Sequence, residues 1–135
     1  MTEQKESAQQ SEAAGVRTVF LAGSSAEERL LTYLKSLPER KLTEEGVSIA
    51  AQEVWHRLRH LLMRVVPPNA RPTDDGGLRM SWTTNGRYLE IEIAVSAATF
   101  EWFYRDTKAQ VSDGGENVPV AEIPASLLDR LRELS

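Results

Sequence analysis

Apolar and polar residues alternate most clearly between residues 78 and 95. Leu78, Met80 and Trp82 interleave with Arg79, Ser81 and Thr83, and Leu89, Ile91, Ile93 and Val95 resume the period after Asn85-Gly86. A period of two belongs to a strand with one buried face, and Asn-Gly supplies the two positive-φ residues of a type I′ turn. The pattern predicts a hairpin whose two-residue loop fixes its register. Trp82 then faces Leu89, Met80 faces Ile91 and Leu78 faces Ile93, while Arg79 meets Glu92 on the other face. A third strand over residues 100–105 is expected to join the second by a turn at Ala97-Ala98. That turn sets Val95 by Phe100, Ile93 by Trp102, Ile91 by Tyr104 and Glu90 by Arg105. Ala-Ala is a poor two-residue turn, and a longer loop shifts this register.

Helical periods flank the strands. A Ser25-x-x-Glu28 capping box opens a first helix with the stripe Leu30, Leu31, Leu34 and Leu37, expected to stop by Leu37 because the residue before Pro38 is pushed out of the α region. A second helix, capped by Thr43 and followed by Glu44 and Glu45, is expected to run to about Val65. Val47, Ala51, Val54, Leu58, Leu61, Leu62 and Val65 form its apolar face, opposite Glu53, His56, Arg57 and His60. Pro67, Pro68, Pro72 and Asp74-Asp75-Gly76-Gly77 read as a breaker stretch, and the polar run after Asp106, with Asp113-Gly114-Gly115, as a loop. Pro124 opens a last helix with Leu127, Leu128, Leu131 and Leu134 in its stripe. The fold class expected is α+β: a three-stranded antiparallel meander with helices packed on one face and the other face open.

At 135 residues the chain fits one domain over 16–135, behind a polar tail over 1–15 expected to be disordered. Residues 16–21 suit either a short strand or a segment docked on the body. The absence of cysteine removes disulfides, thiolate metal sites and cysteine nucleophiles together. The polar first fifteen residues lack a signal-peptide pattern, and no apolar run approaches the roughly 20 residues of a membrane span, so a cytoplasmic location without membrane contact is expected. A net charge of −4 and a pI near 5.3 disfavour nucleic acid as partner.

Candidate chemistry is sparse. Glu53, His56 and His60 share a helix face at metal-like spacing, but H-E-x-x-H is absent and Arg57 and Arg59 interleave where they repel a cation. No G-x-S-x-G elbow or phosphate-binding glycine loop occurs, and Gly76-Gly77 and Gly114-Gly115 read as turns. Asp74 and Asp75 offer acids near Glu90 and Glu92, a pattern more typical of loop caps than of catalysis. Arg57, Arg59, Arg64 and Arg71 against Glu53 make residues 52–71 the one basic patch, a candidate contact for an acidic partner.

The open sheet face gathers Arg79, Tyr88, Glu90, Glu92, Phe103 and Arg105 with Ser81 and Thr83, and aromatic residues beside arginines are typical of protein contacts. Strands 78–84 and 99–105 are expected to be sheet edges, open to a twin subunit or a partner peptide.

The block Pro72-Thr73-Asp74-Asp75-Gly76-Gly77-Leu78-Arg79-Met80-Ser81-Trp82, followed by Arg87-Tyr88-Leu89-Glu90-Ile91-Glu92-Ile93, resembles a pattern in short uncharacterised bacterial proteins. They share a helix, a D-G-G start to a hairpin, a Trp and an L-E-I-E-I strand. The resemblance covers about residues 43–105 and implies a fold, not a function. In size, acidity and helix–meander–helix order the chain is also similar to secretion chaperones and to small immunity or antitoxin proteins, a likeness of fold alone. The reading that follows is a non-catalytic module without cofactor that binds another protein, or a second copy of itself, through the sheet. A metal-dependent enzyme using Glu53, His56 and His60, and a nucleic-acid binder using residues 52–71, are the alternatives.

Overall fold

The computed structural model describes residues 25–134, so the expected tail and the segment 16–21 lie outside the described residues. The chain order is α1 (Ser25–Glu39), α2 (Glu45–Leu61), β1 (Asn69–Pro72), β2 (Leu78–Thr84), β3 (Arg87–Ile93), β4 (Thr99–Asp106), β5 (Val111–Pro119) and α3 (Ala125–Glu133). The strands form one antiparallel meander in the order β1-β2-β3-β4-β5. Leu78, Met80 and Trp82, Leu89, Ile91 and Ile93, and Phe100, Trp102 and Tyr104 all turn to one face, where they join the core residues of the three helices. No described helix is long and apolar enough to cross a membrane.

The β2–β3 register is the expected one: Trp82 opposite Leu89, Met80 opposite Ile91, Leu78 opposite Ile93 and Arg79 opposite Glu92. The β3–β4 register is corrected by two residues, with Ile93 opposite Phe100, Ile91 opposite Trp102, Leu89 opposite Tyr104 and Tyr88, rather than Glu90, opposite Arg105. The chain does not turn tightly at Ala97-Ala98. Instead Ala94 N–H donates to the Thr99 carbonyl at 3.0 Å and Ala97 N–H to the Ala94 carbonyl at 2.8 Å, leaving Val95 outside the ladder. A two-residue slip equals the side-chain period, so every residue keeps its face.

Five strands replace the three expected. β1 lies inside the proline-rich stretch read as a breaker, a composition that edge strands tolerate because one side of them donates to no neighbour. β5 lacks apolar alternation and contains Gly114-Gly115, read from sequence as a turn. Here glycine answers a packing need: a Cβ on Gly115 would sit 2.7 Å from Trp102 Nε1, and one on Gly114 2.6 Å from the Trp102 carbonyl oxygen. The strands expected at the edges, 78–84 and 99–105, are therefore interior. The true edges are guarded: β1 is four residues long and ends on Pro72 behind Pro67-Pro68, and β5 is interrupted by a bulge between its pairings with Phe100 and Trp102.

Helix α1 passes through Pro38 to Glu39 instead of stopping at Leu37, and Ser25 and Glu28 are both exposed without a capping bond among the described residues. Pro38 has no N–H for the Leu34 carbonyl one turn back. Ser48 of α2 supplies the missing donor, its Oγ at 2.6 Å from that oxygen, and accepts Gln52 Nε2 at 3.1 Å. Ser48→Ala is expected to cost about 1–2 kcal/mol, read from denaturant midpoints, because it leaves a buried carbonyl unsatisfied. In that background Pro38→Ala restores the helical N–H and should recover most of the loss; equal effects of Pro38→Ala in both backgrounds would refute the coupling.

Helix α2 departs from expectation at both ends. Glu44 is its N-cap, without a side-chain bond, and Thr43 is buried with an unpartnered hydroxyl. The helix stops at Leu61 rather than near Val65, as Leu62 adopts an extended conformation that leads toward β1. Leu61, expected in the apolar face, is 47% exposed. Helix α3 follows Pro124 as expected and is tied to the sheet by Tyr104 Oη donating to Glu133 Oε1 at 2.7 Å and by Arg130 Nε on Asp113 Oδ2 at 3.1 Å.

Asp106 closes the β4–β5 turn. Its Oδ1 accepts the N–H groups of Lys108 and Ala109 at 3.0 and 3.1 Å, and its Oδ2 accepts Arg87 Nε at 3.1 Å. The Ala109 N–H first, then Arg87, holds this carboxyl below the ordinary aspartate range. A depressed native pKa gives stability that is present above the unfolded value and is lost as pH falls through the native one. Asp106→Asn is accordingly expected to flatten the fall in melting temperature below about pH 4; an unchanged acid limb would contradict this role.

Candidate open-face recognition site

The face of the sheet opposite the helices is built by strand parity. Residues of β2, β3 and β4 that alternate with the core positions point away from it, and no described element lies over them. All six residues singled out from sequence fall there: Arg79, Tyr88, Glu90, Glu92, Phe103 and Arg105. Cross-strand pairing sorts the face into rows. Arg71, Arg79, Glu92 and Glu101 form one row, Asn69, Ser81, Glu90 and Phe103 the next, and Thr83, Tyr88, Arg105 and Ser112 the third.

Charges at the centre of the face are paired within the chain. Arg79 Nη2 lies 3.1 Å from Glu92 Oε1 and its Nε 3.8 Å from Glu90 Oε2. The hydrogen bond from Arg79 to Glu92, with the nearby Glu90 charge, holds the guanidinium above its ordinary pKa. Tyr88 Oη donates to Glu90 Oε1 at 2.6 Å. Partial burial, then that bond to Glu90, pushes the phenol up to about 12, so a partner at neutral pH meets a hydroxyl and not a phenolate. Phe103 stays 38% exposed, and the Arg105 guanidinium lies 5.8 Å from its ring centre, within cation–π range. Such a surface offers an aromatic anchor inside a fixed frame of charges, which suits recognition of a complementary surface.

Sequence reasoning put Arg71 in the basic segment rather than on this face and did not single out Glu101; the two complete the first row. Glu101 shares parity with Phe103 and Arg105 in its own strand, a signal present in the sequence, whereas Arg71 needs the β1–β2 pairing.

The other candidate groups are placed differently. Glu53, His56 and His60 do share the outer face of α2, where Glu53 Oε2 meets Arg57 Nη2 at 3.4 Å, and among the described residues no group of three His, Asp or Glu is arranged to hold a metal ion. The arginines of the basic segment 52–71 are spread over α2, the link that follows it and β1. Arg57 pairs with Glu53, Arg59 lies 2.8 Å from the buried Glu27, and Arg71 stands on the sheet. Asp75 is a turn group, bound by the Thr73 hydroxyl and the Gly77 N–H, which draw its carboxyl below the ordinary value. Compared with known protein families, curated proteins and solved structures, the chain matches none.

Proposed function

We propose that the protein is a non-catalytic interaction module that binds another protein through the open face of its five-stranded sheet. The observation that carries this reading is the asymmetry of the sheet. One face is packed under three helices, while the other presents Phe103 and Tyr88 among ordered Arg and Glu side chains with no described cover. An exposed aromatic in a rigid polar frame is the composition of a contact centre. The guarded edges favour the face over strand addition. An accessory role of the antitoxin, immunity or chaperone kind accords with the size and acidity of the chain, by analogy of fold.

The test is quantitative capture from a nuclease-treated lysate of the protein's own host. A stoichiometric protein should be retained by the native chain and lost when Arg79, Tyr88, Phe103 and Arg105 are all changed to alanine. A control variant with Glu53, His56 and His60 changed to alanine should retain it. Undiminished capture by the sheet-face variant would sink this assignment, and loss with the control would move the site to α2.

A further inference from the structure

Across the sheet from β1 to β4, the first row of the open face reads positive, positive, negative, negative: Arg71, Arg79, Glu92, Glu101. Two of its three neighbouring pairs are like-charged, Arg71 beside Arg79 and Glu92 beside Glu101, an arrangement that destabilises a lone sheet. Only the central pair is neutralised, by the 3.1 Å contact of Arg79 with Glu92. The outer members, Arg71 and Glu101, take part in no ion pair among the described residues. The acidic end is reinforced, because Glu92 and Glu101 line a depression shared with Asp75 and Glu116.

We infer that the open face pairs with the same face of a second copy of this chain, about a two-fold axis that runs parallel to the strands between β2 and β3. This rests on the reading of that face as a protein-binding surface and names its occupant. A face-to-face contact between identical subunits is isologous, with its axis in the interface. An axis along the strands reverses the row, so Arg71 and Arg79 of one copy lie over Glu101 and Glu92 of the other. An axis across the strands sets arginine on arginine and glutamate on glutamate where it passes through this row, Glu90 on Glu90 where it passes through the next, and Arg105 on Arg105 where it passes through the third. Charge therefore selects one symmetric packing and rejects the other. The row is complementary to itself, as a surface for an unrelated partner has no need to be.

The area suffices for a reversible dimer. About this axis β1 lies over β4 and β2 over β3 while β5 overhangs; with strands about 4.8 Å apart rising about 3.3 Å per residue, seven residues of β2 and β3 and the four of β1 overlap over roughly 350 Å² per face, and the two faces together over roughly 700 Å². That is the size of a weak, transient contact, and its charged composition makes the association sensitive to salt.

Sedimentation equilibrium of the whole chain tests the inference. A monomer–dimer equilibrium is expected at low salt, with a dissociation constant that rises about tenfold or more on going to about 0.5 M salt. The double variant Arg71→Glu, Arg79→Glu should be monomeric, and so should Glu92→Arg, Glu101→Arg, each with native circular dichroism. Mixing the two restores opposite charges across the axis and should regenerate a one-to-one dimer. A monomeric native chain, a dimer that survives either charge reversal, or two variants that fail to complement each other would each overturn the self-pairing. If the native chain is monomeric yet loses a captured protein when the sheet face is mutated, the face belongs to a different protein, and the broader reading stands without this one.

Discussion

Trp55→Ala is expected to lower the unfolding free energy by about 3–5 kcal/mol, the range for deleting a buried tryptophan. Trp55 is 1% exposed and is the largest fully buried side chain. Its Nε1 donates at 3.0 Å to Oε2 of Glu27, a carboxylate buried to 4% exposure that also takes Arg59 Nη1 at 2.8 Å. The alanine variant therefore opens a cavity and removes one of the donors that offset the burial of Glu27. Trp55→Phe keeps most of the volume and should cost less, about 1.5–3 kcal/mol, the worth of a hydrogen bond to a charged acceptor. Urea midpoints for the two variants separate these contributions. A loss below about 1 kcal/mol for the alanine variant would mean that α1 does not pack on this flank of α2.

Gly77→Ala is expected to cost about 2–3 kcal/mol, as an overpacked site does. Gly77 closes the β1–β2 turn, where its N–H donates to Thr73 Oγ1 at 2.9 Å and its carbonyl accepts the Thr73 N–H at 3.0 Å. A Cβ there would lie 2.5 Å from the carbonyl oxygen of Ile93. That oxygen is backbone at the end of β3, directly beside the Leu78–Ile93 pair, and cannot withdraw without disturbing the hairpin. Gly46 supplies the contrast. It lies in the first turn of α2, and a Cβ would make an ordinary 3.5 Å contact with Ala97, so Gly46→Ala should be neutral or stabilising by about 0.5–1 kcal/mol. Equal melting temperatures for the two variants would contradict this account of the turn.

Elements that sequence made legible are those in which one local rule decides. Asn85-Gly86 and strict alternation on both sides fix the β2–β3 register, because a slip of one residue would exchange the core and solvent faces. The same alternation identified the open-face residues, since parity alone places Arg79, Tyr88, Glu90, Glu92, Phe103 and Arg105. What escaped depends on partners distant in sequence. Ser48, Trp55 and Arg59 follow one flank of α2 at helical spacing, and that flank is buried because α1 lies against it. The buried arc is thereby turned toward Trp55 and away from Leu61, which no property of α2 alone reveals. β1 and β5 escaped for a related reason: edge strands carry proline and glycine that signal turns, and only the adjoining strand gives those residues their meaning.

The proposed binding surface can be observed directly by recording amide resonances of isotope-labelled protein in buffer and then in an unlabelled lysate of its own host. Line broadening should concentrate on the outward positions of β2, β3 and β4, with Phe103 and Tyr88 at its centre, and should vanish for the quadruple alanine variant of Arg79, Tyr88, Phe103 and Arg105. Broadening centred on His56 and His60 of α2, or no broadening in the lysate for a chain that is monomeric in buffer, would contradict the assignment of function to the open face of the sheet.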